Sequence, residues 1–192
     1  MMLFCCTMPV TLKSLGDEFK WVPVTCWTIT TLLVVHLVKM VAPQWIWGLV
    51  GGPPGSLVNL IVYSFLHVDV VHLVLNCMSI YNYRYVEHDW GSQHYAGLLA
   101  YFVVCHACIM WIIHLVLAVS VSLGFSGVLF GLVVLYPPTH VLGHYVPHRY
   151  QPVVPLLLLL LTQILIRNAS FVGHLAGIIS GYLLLVGLGR AQ

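Results

Sequence analysis

Apolar residues run along this chain in long blocks, broken by proline, glycine and a few charges, and do not alternate with polar residues as in a soluble helix or strand. Taking the breaks as boundaries predicts six helices, at roughly 24–42, 68–85, 94–118, 124–137, 152–167 and 170–188. Between the first two lies a segment rich in Trp, Gly and Pro, Pro43 to Gly55, followed by an apolar approach from Ser56 to Leu66. Both are expected to form an interfacial loop. Trp45 and Trp47 suit headgroup depth, where an indole finds apolar contact and a partner for its N–H.

Composition changes the picture from a protein with a large core to one whose solvent is lipid. Of 192 residues, 60% are hydrophobic and 6% charged, against roughly a quarter charged in an average soluble domain. No fixed charge falls between Asp89 and Arg149, a stretch long enough to cross a bilayer twice at about 20 residues per crossing. The expected architecture is all-α and polytopic: a single membrane domain over 1–192, with 1–23 a cytosolic amino-terminal segment and 24–188 a six-helix core. The first apolar run is too short for a signal-peptide core, and Asp17 and Glu18 argue against a transit peptide, so the first span is expected to be retained.

Charge sets the orientation. With the amino terminus cytosolic, Lys13, Lys20, Arg84, Arg149 and Arg190 are inside and only Lys39 and Arg167 outside, as positive-inside bias favours. The second, fourth and sixth helices then run from the outer face inward, and their first residues share one depth. A net charge of +2 with no basic patch gives no support to a nucleic-acid partner. The six cysteines define no disulfide framework and sit mostly in apolar stretches, where thiols behave as small hydrophobes.

Gly124-Phe125-Ser126-Gly127 opens the fourth helix, and the uncharged approach from Ala118 to Leu123 places the turn below the outer interface. Irregular backbone at that depth is tolerated only inside protein or beside a wet cavity. Taken alone the tetrapeptide fits a helix-packing site better than a nucleophile, and it is not the G-x-S-x-G elbow of soluble hydrolases, since residue 128 is Val. On the sixth helix, Gly173, Gly177 and Gly181 form a smooth stripe beside His174, and Gly127 and Gly131 form a matching one on the fourth. Where the stripes meet, Ser126 and His174 fall within hydrogen-bond reach as nucleophile and base. A core histidine bonded to a carbonyl is the plainer alternative for His174. His72 and Asn76 share one face of the second helix and are donors suited to a developing oxyanion, with the Ser126 N–H a third. For Asn76 the competing reading is an interhelical hydrogen bond.

The acids narrow the chemistry. All five (Asp17, Glu18, Asp69, Glu87, Asp89) precede Ser126, and only Asp69 lies near the outer side, so the expectation is a Ser-His dyad in place of a triad. The same census disfavours an aspartyl protease, and no H-E-x-x-H motif is present. His140, His144 and His148 recur every four residues, but prolines and Gly143 interrupt them, so no metal site is expected. His67 is read as shaping the cavity entrance, and His36, His106 and His114 as interface residues.

In order along the chain, His67, His72-Leu73, Asn76, Glu87 and Gly91, G-F-S-G-V-L-F-G at 124–131 and G-H-L-A-G-I-I-S-G at 173–181 resemble the rhomboid family of intramembrane serine proteases, from about His67 to Leu188. G-F-S-G-V-L-F, S-F-V-G-H-L-A-G and Val146-Pro147 look most like its endoplasmic-reticulum subfamily, rhomboid-related protein 4. The resemblance implies a six-helix core, a Ser126–His174 dyad, oxyanion donors at His72 and Asn76, and Phe130 against the catalytic ring. It further implies transmembrane protein substrates, no cofactor, and an endoplasmic-reticulum or secretory-pathway membrane. A rhomboid-like adaptor that routes membrane clients without cutting them is the second reading. A channel is weaker, because the polar residues cluster at one side instead of lining a path.

Overall fold

The structure, a computed structural model, describes residues 20–49, 56–118, 123–166 and 169–189. Nine helices stand among them: α1 (Pro23–Val41), α2 (Pro43–Leu49), α3 (Leu57–Tyr63), α4 (Val70–Asn82), α5 (Arg84–Trp90), α6 (Ser92–Leu117), α7 (Ser126–Leu135), α8 (Val154–Leu165) and α9 (Phe171–Gly189). Between α7 and α8 lie a small antiparallel hairpin, β1 (His140–Val141) with β2 (His144–Tyr145), and a 3₁₀ turn, His148–Val153.

Helices occupy all six positions that the apolar blocks predict, but three are short. α1, α6 and α9, of 19, 26 and 19 residues, are long and apolar enough to cross a membrane. α4, α7 and α8 have only 13, 10 and 12 residues. Local chemistry sets these limits. Asp69 caps α4 by accepting from His72 N at 2.8 Å. Pro137 and Pro138 follow α7, and Pro155 sits in the first turn of α8, where its missing N–H costs nothing.

The expected loop before α4 is partly helical. Pro43 opens α2, and Ser56 caps α3, its Oγ accepting from Asn59 N at 3.2 Å. Residues 50–55 and the Trp47 side chain lie outside the described residues. So do Cys5, Cys6, Lys13, Asp17, Glu18, Arg167, Arg190 and residues 119–122 of the approach to Ser126.

α7 is the hub. Every residue from Gly127 to Val134 is buried, and α4, α6, α8 and α9 surround it with Leu73, Ile80, Phe102, Leu158 and Ile178 among the packed side chains. The outward faces carry Leu33, Leu37, Leu160, Ile164 and Leu183, all exposed. So large an apolar exterior suits hydrocarbon and not water. At one end of the bundle His72 meets Gly124; at the other the Tyr83 hydroxyl donates to Tyr136 O at 3.4 Å. Gly177 meets Gly127 and Gly181 meets Gly131. Hence α4, α7 and α9 all run in the same direction.

Candidate active site

The turn into α7 is built on glycine. Gly124 has φ +120°, and a Cβ there would lie 2.5 Å from His72 Cε1, so backbone conformation and space both require the absence of a side chain. Its N–H donates to Tyr63 O at 3.0 Å, and Phe125 N–H donates to His67 Nε2 at 3.5 Å. The Phe65 and Phe125 rings sit 5.7 Å apart. Ser126 follows as the first residue of α7, half-buried. With 10 residues α7 is about 15 Å long, roughly half of a 30 Å hydrocarbon core, so a serine at its start is deep if its other end reaches the interface.

His174 lies in the first turn of α9 and is buried. Its Nε2 is 2.8 Å from Ser126 Oγ, and the Phe130 ring stacks on the imidazole at 4.5 Å with 27° between planes. With Nε2 accepting the serine proton, the imidazole carries its own proton on Nδ1. That atom is buried and has no partner among the described residues. Asp69, the acid among the described residues that lines the same cavity, accepts the capping bond from His72 N.

The two helices meet backbone to backbone. A Cβ on Gly177 would overlap the Gly127 carbonyl oxygen, and one on Gly181 would lie 2.6 Å from Val134 Cβ. The other face of the α7 glycines belongs to α6: a Cβ on Gly131 would lie 2.5 Å from Phe102 Cδ1, and one on Gly127 would overlap the His106 ring. His106 Nε2 donates to Gly173 O at 3.1 Å. His106 thus bridges α6 to the start of α9, directly beside His174. Its spacing of four from Phe102 is the sequence signal that places both on one face of α6.

Asn76 and His72 join the same space. Asn76 Nδ2 donates to His72 O at 2.8 Å within its own helix, and among the described residues its second amide hydrogen is uncommitted and its buried Oδ1 has no partner. The His72 and His67 rings meet edge to face at 5.2 Å. A cavity of about 230 Å³ is lined by His72, Asn76, Ser126, Phe130 and His174 and continues between α4 and α8 past Met78, Leu129, Val133 and Leu158 to Tyr83. His72, Asn76, Ser126 and His174 gather at one end, and beyond them the lining is mostly apolar, with Ser79, Tyr83 and Thr162 among the exceptions.

Among the described residues no three His, Cys, Asp or Glu side chains are grouped as a metal site. His140 and His144 lie on the hairpin, and His148 opens the 3₁₀ turn. Cys105 and Cys108 stand at C-x-x-C spacing, a pair missed by the expectation of no framework; both are half-buried on α6 and unbridged.

An apolar helical bundle with three helices long enough to cross a bilayer defines an integral membrane protein, and within it a serine hydroxyl stands against a buried imidazole. The chain belongs to the rhomboid family: the Rhomboid domain model matches residues 54–191. It is similar to the putative rhomboid protein L523 of Acanthamoeba polyphaga mimivirus, 26% identical over 133 residues, covering 68% of this chain and 75% of that one. It is also similar to the mitochondrial rhomboid-like protein 14 of Arabidopsis thaliana, 31% identical over 150 residues, covering 68% of this chain but 43% of that protein's length. No solved structure gives a significant match.

Proposed function

We propose that this protein is an intramembrane serine protease in which Ser126 is the nucleophile and His174 its base. The observation that carries the reading is the 2.8 Å contact between Ser126 Oγ and His174 Nε2 in a cavity that also holds the uncommitted amide hydrogen of Asn76. In the proposed reaction Ser126 Oγ attacks a peptide carbonyl while His174 Nε2 takes the hydroxyl proton. The proton passes to the departing amine, and water, activated by the same imidazole, hydrolyses the acyl-enzyme. The Asn76 amide, the His72 ring and the Ser126 N–H are the proposed donors to the oxyanion. Phe130 orients the imidazole that would otherwise fall to an acid.

The substrate class is a membrane protein whose transmembrane helix unwinds at the cut, because an intact helix keeps its carbonyls bonded. Gly or Pro near the cleavage site is therefore expected. We further propose that α1, α4, α6, α7, α8 and α9 make a six-helix membrane core with the amino terminus cytosolic. The motif phrases favour the endoplasmic-reticulum subfamily of rhomboid-related protein 4, and with it an endoplasmic-reticulum or secretory-pathway membrane.

The test is labelling by a serine-directed fluorophosphonate together with cleavage of a tethered single-span reporter, comparing wild type with Ser126→Ala and His174→Ala. Wild type alone should label fully and cut. Equal signal in all three ends the protease reading and leaves the non-cutting adaptor.

A further inference from the structure

We propose that Lys39, on α1 and ahead of the residues 54–191 that match the family model, is a positioning residue for the turn that presents Ser126. Residues 64–69 join α3 to α4, and the carbonyls of His67 and Val68 there need donors from outside the segment. Lys39 supplies them: its Nζ donates to His67 O and, at 3.0 Å, to Val68 O. An ammonium with three donors on a flexible stem is suited to gathering two adjacent carbonyls. It also stands in the last turn of α1, where a cation complements the helix dipole. His36, three residues earlier on the same face, is buried.

The segment so held is the seat of the Ser126 turn. Tyr63 O receives Gly124 N–H, the Phe65 ring packs on Phe125, and His67 Nε2 receives the N–H of Phe125, the residue bonded to Ser126. Lys39 itself does not line the cavity. Its action passes through His67 and Phe125 to the backbone whose N–H and hydroxyl the reaction uses. A lysine that merely extended to the membrane surface would leave both carbonyls to water.

The proposal rests on the protease reading for what the turn does, but not for how the turn is held. The experiment uses the full chain in lipid, with Lys39→Met and Lys39→Arg, and follows amide hydrogen exchange, fluorophosphonate labelling per folded molecule, and reporter kinetics. Lys39→Met should speed exchange at 64–68 and 124–126 while exchange in α6 and α9 stays at the wild-type rate. Labelling and kcat should fall on the order of tenfold to a hundredfold, as misplacement of reacting groups costs, with KM unchanged. Lys39→Arg should retain both. Unchanged exchange at 124–126 in Lys39→Met, or acceleration spread evenly over the bundle, overturns the proposal. Accelerated local exchange in a protein that never labels, even as wild type, would sink the protease reading and leave the positioning role intact.

Discussion

Gly177 on α9 rests directly on the carbonyl of Gly127 on α7, one residue after Ser126 and three after His174, with the carbonyl carbon 2.8 Å from where a Cβ would stand. The obstacle is backbone on both sides, so no rotamer can relieve an added methyl group and the helices must separate. Separation lengthens the 2.8 Å contact between Ser126 and His174.

Gly177→Ala is therefore expected to cost about 1–3 kcal/mol of stability, the usual range for overpacking, and to suppress fluorophosphonate labelling beyond its effect on folding. Gly187→Ala is the control, since nothing among the described residues lies within 4 Å of its added Cβ. Thermal unfolding in detergent and labelling rate per folded molecule check the pair. Matching behaviour of the two variants would mean that the close approach of α7 and α9 does not govern the dyad.

Asn76→Ala removes the uncommitted side-chain amide hydrogen beside Ser126 in the cavity. Loss of an oxyanion donor costs roughly 2.7–4 kcal/mol, or on the order of 100- to 1000-fold in kcat. Little of this should appear as unfolding, because the bond to His72 O lies within α4 and Oδ1 has no partner to lose among the described residues. An Asn76→Ala enzyme with undiminished turnover excludes the donor role.

These expectations use parts of the molecule that differ in how far the sequence reveals them. The helix positions were legible because proline, glycine and charge mark nearly every break. The shortness of α4, α7 and α8 was not, since hydropathy follows apolar content and not where helical hydrogen bonding stops. α2 and α3 were hidden by Trp, Gly and Pro that read as loop, although Pro43 and Ser56 are sound helix starts. The juxtaposition of Ser126 and His174 was legible through the glycine periodicity beside each. For His106 the spacing from Phe102 marks its face but not its partner, and the support that Lys39 lends from outside the cavity was not legible at all, because both bond backbone carbonyls, and a carbonyl leaves no mark on residue type. Glu87 was visible in a motif, but its partners on α1 lie 62 and 63 residues away.

Phe130 stacks on the His174 ring at 4.5 Å, and no acid among the described residues holds Nδ1. Aromatic stacking of this kind contributes about 0.5–1.5 kcal/mol beyond area burial, equivalent to as much as roughly tenfold in rate if it acts wholly on orientation. Phe130→Leu keeps most of the apolar volume, so it should stay folded and lose kcat by up to about that factor, with KM little changed. Reporter kinetics decide the matter: a Leu variant with wild-type kcat would show that packing elsewhere fixes the imidazole.

Glu87 tests the opposite end of the bundle, beyond the Tyr83–Tyr136 contact. Its carboxylate is buried and accepts from Val24 N at 2.8 Å, Thr25 N at 2.7 Å and the Ser92 hydroxyl at 2.7 Å, joining the starts of α1 and α6 to α5. The two backbone donors are orphans of the first turn of α1, where helix polarity favours an anion. Hydrogen bonds to a charged group contribute roughly 1.5–3 kcal/mol each, so Glu87→Ala should destabilise the protein by at least about 3 kcal/mol. Glu87→Gln retains a carbonyl oxygen for one donor but turns an NH₂ toward the other, and should fall between Ala and wild type. Because the site is remote from Ser126, labelling per folded molecule should remain near wild type while the melting temperature drops. Wild-type stability in Glu87→Gln would show that one neutral acceptor suffices and that the charge contributes nothing to holding α1 in place.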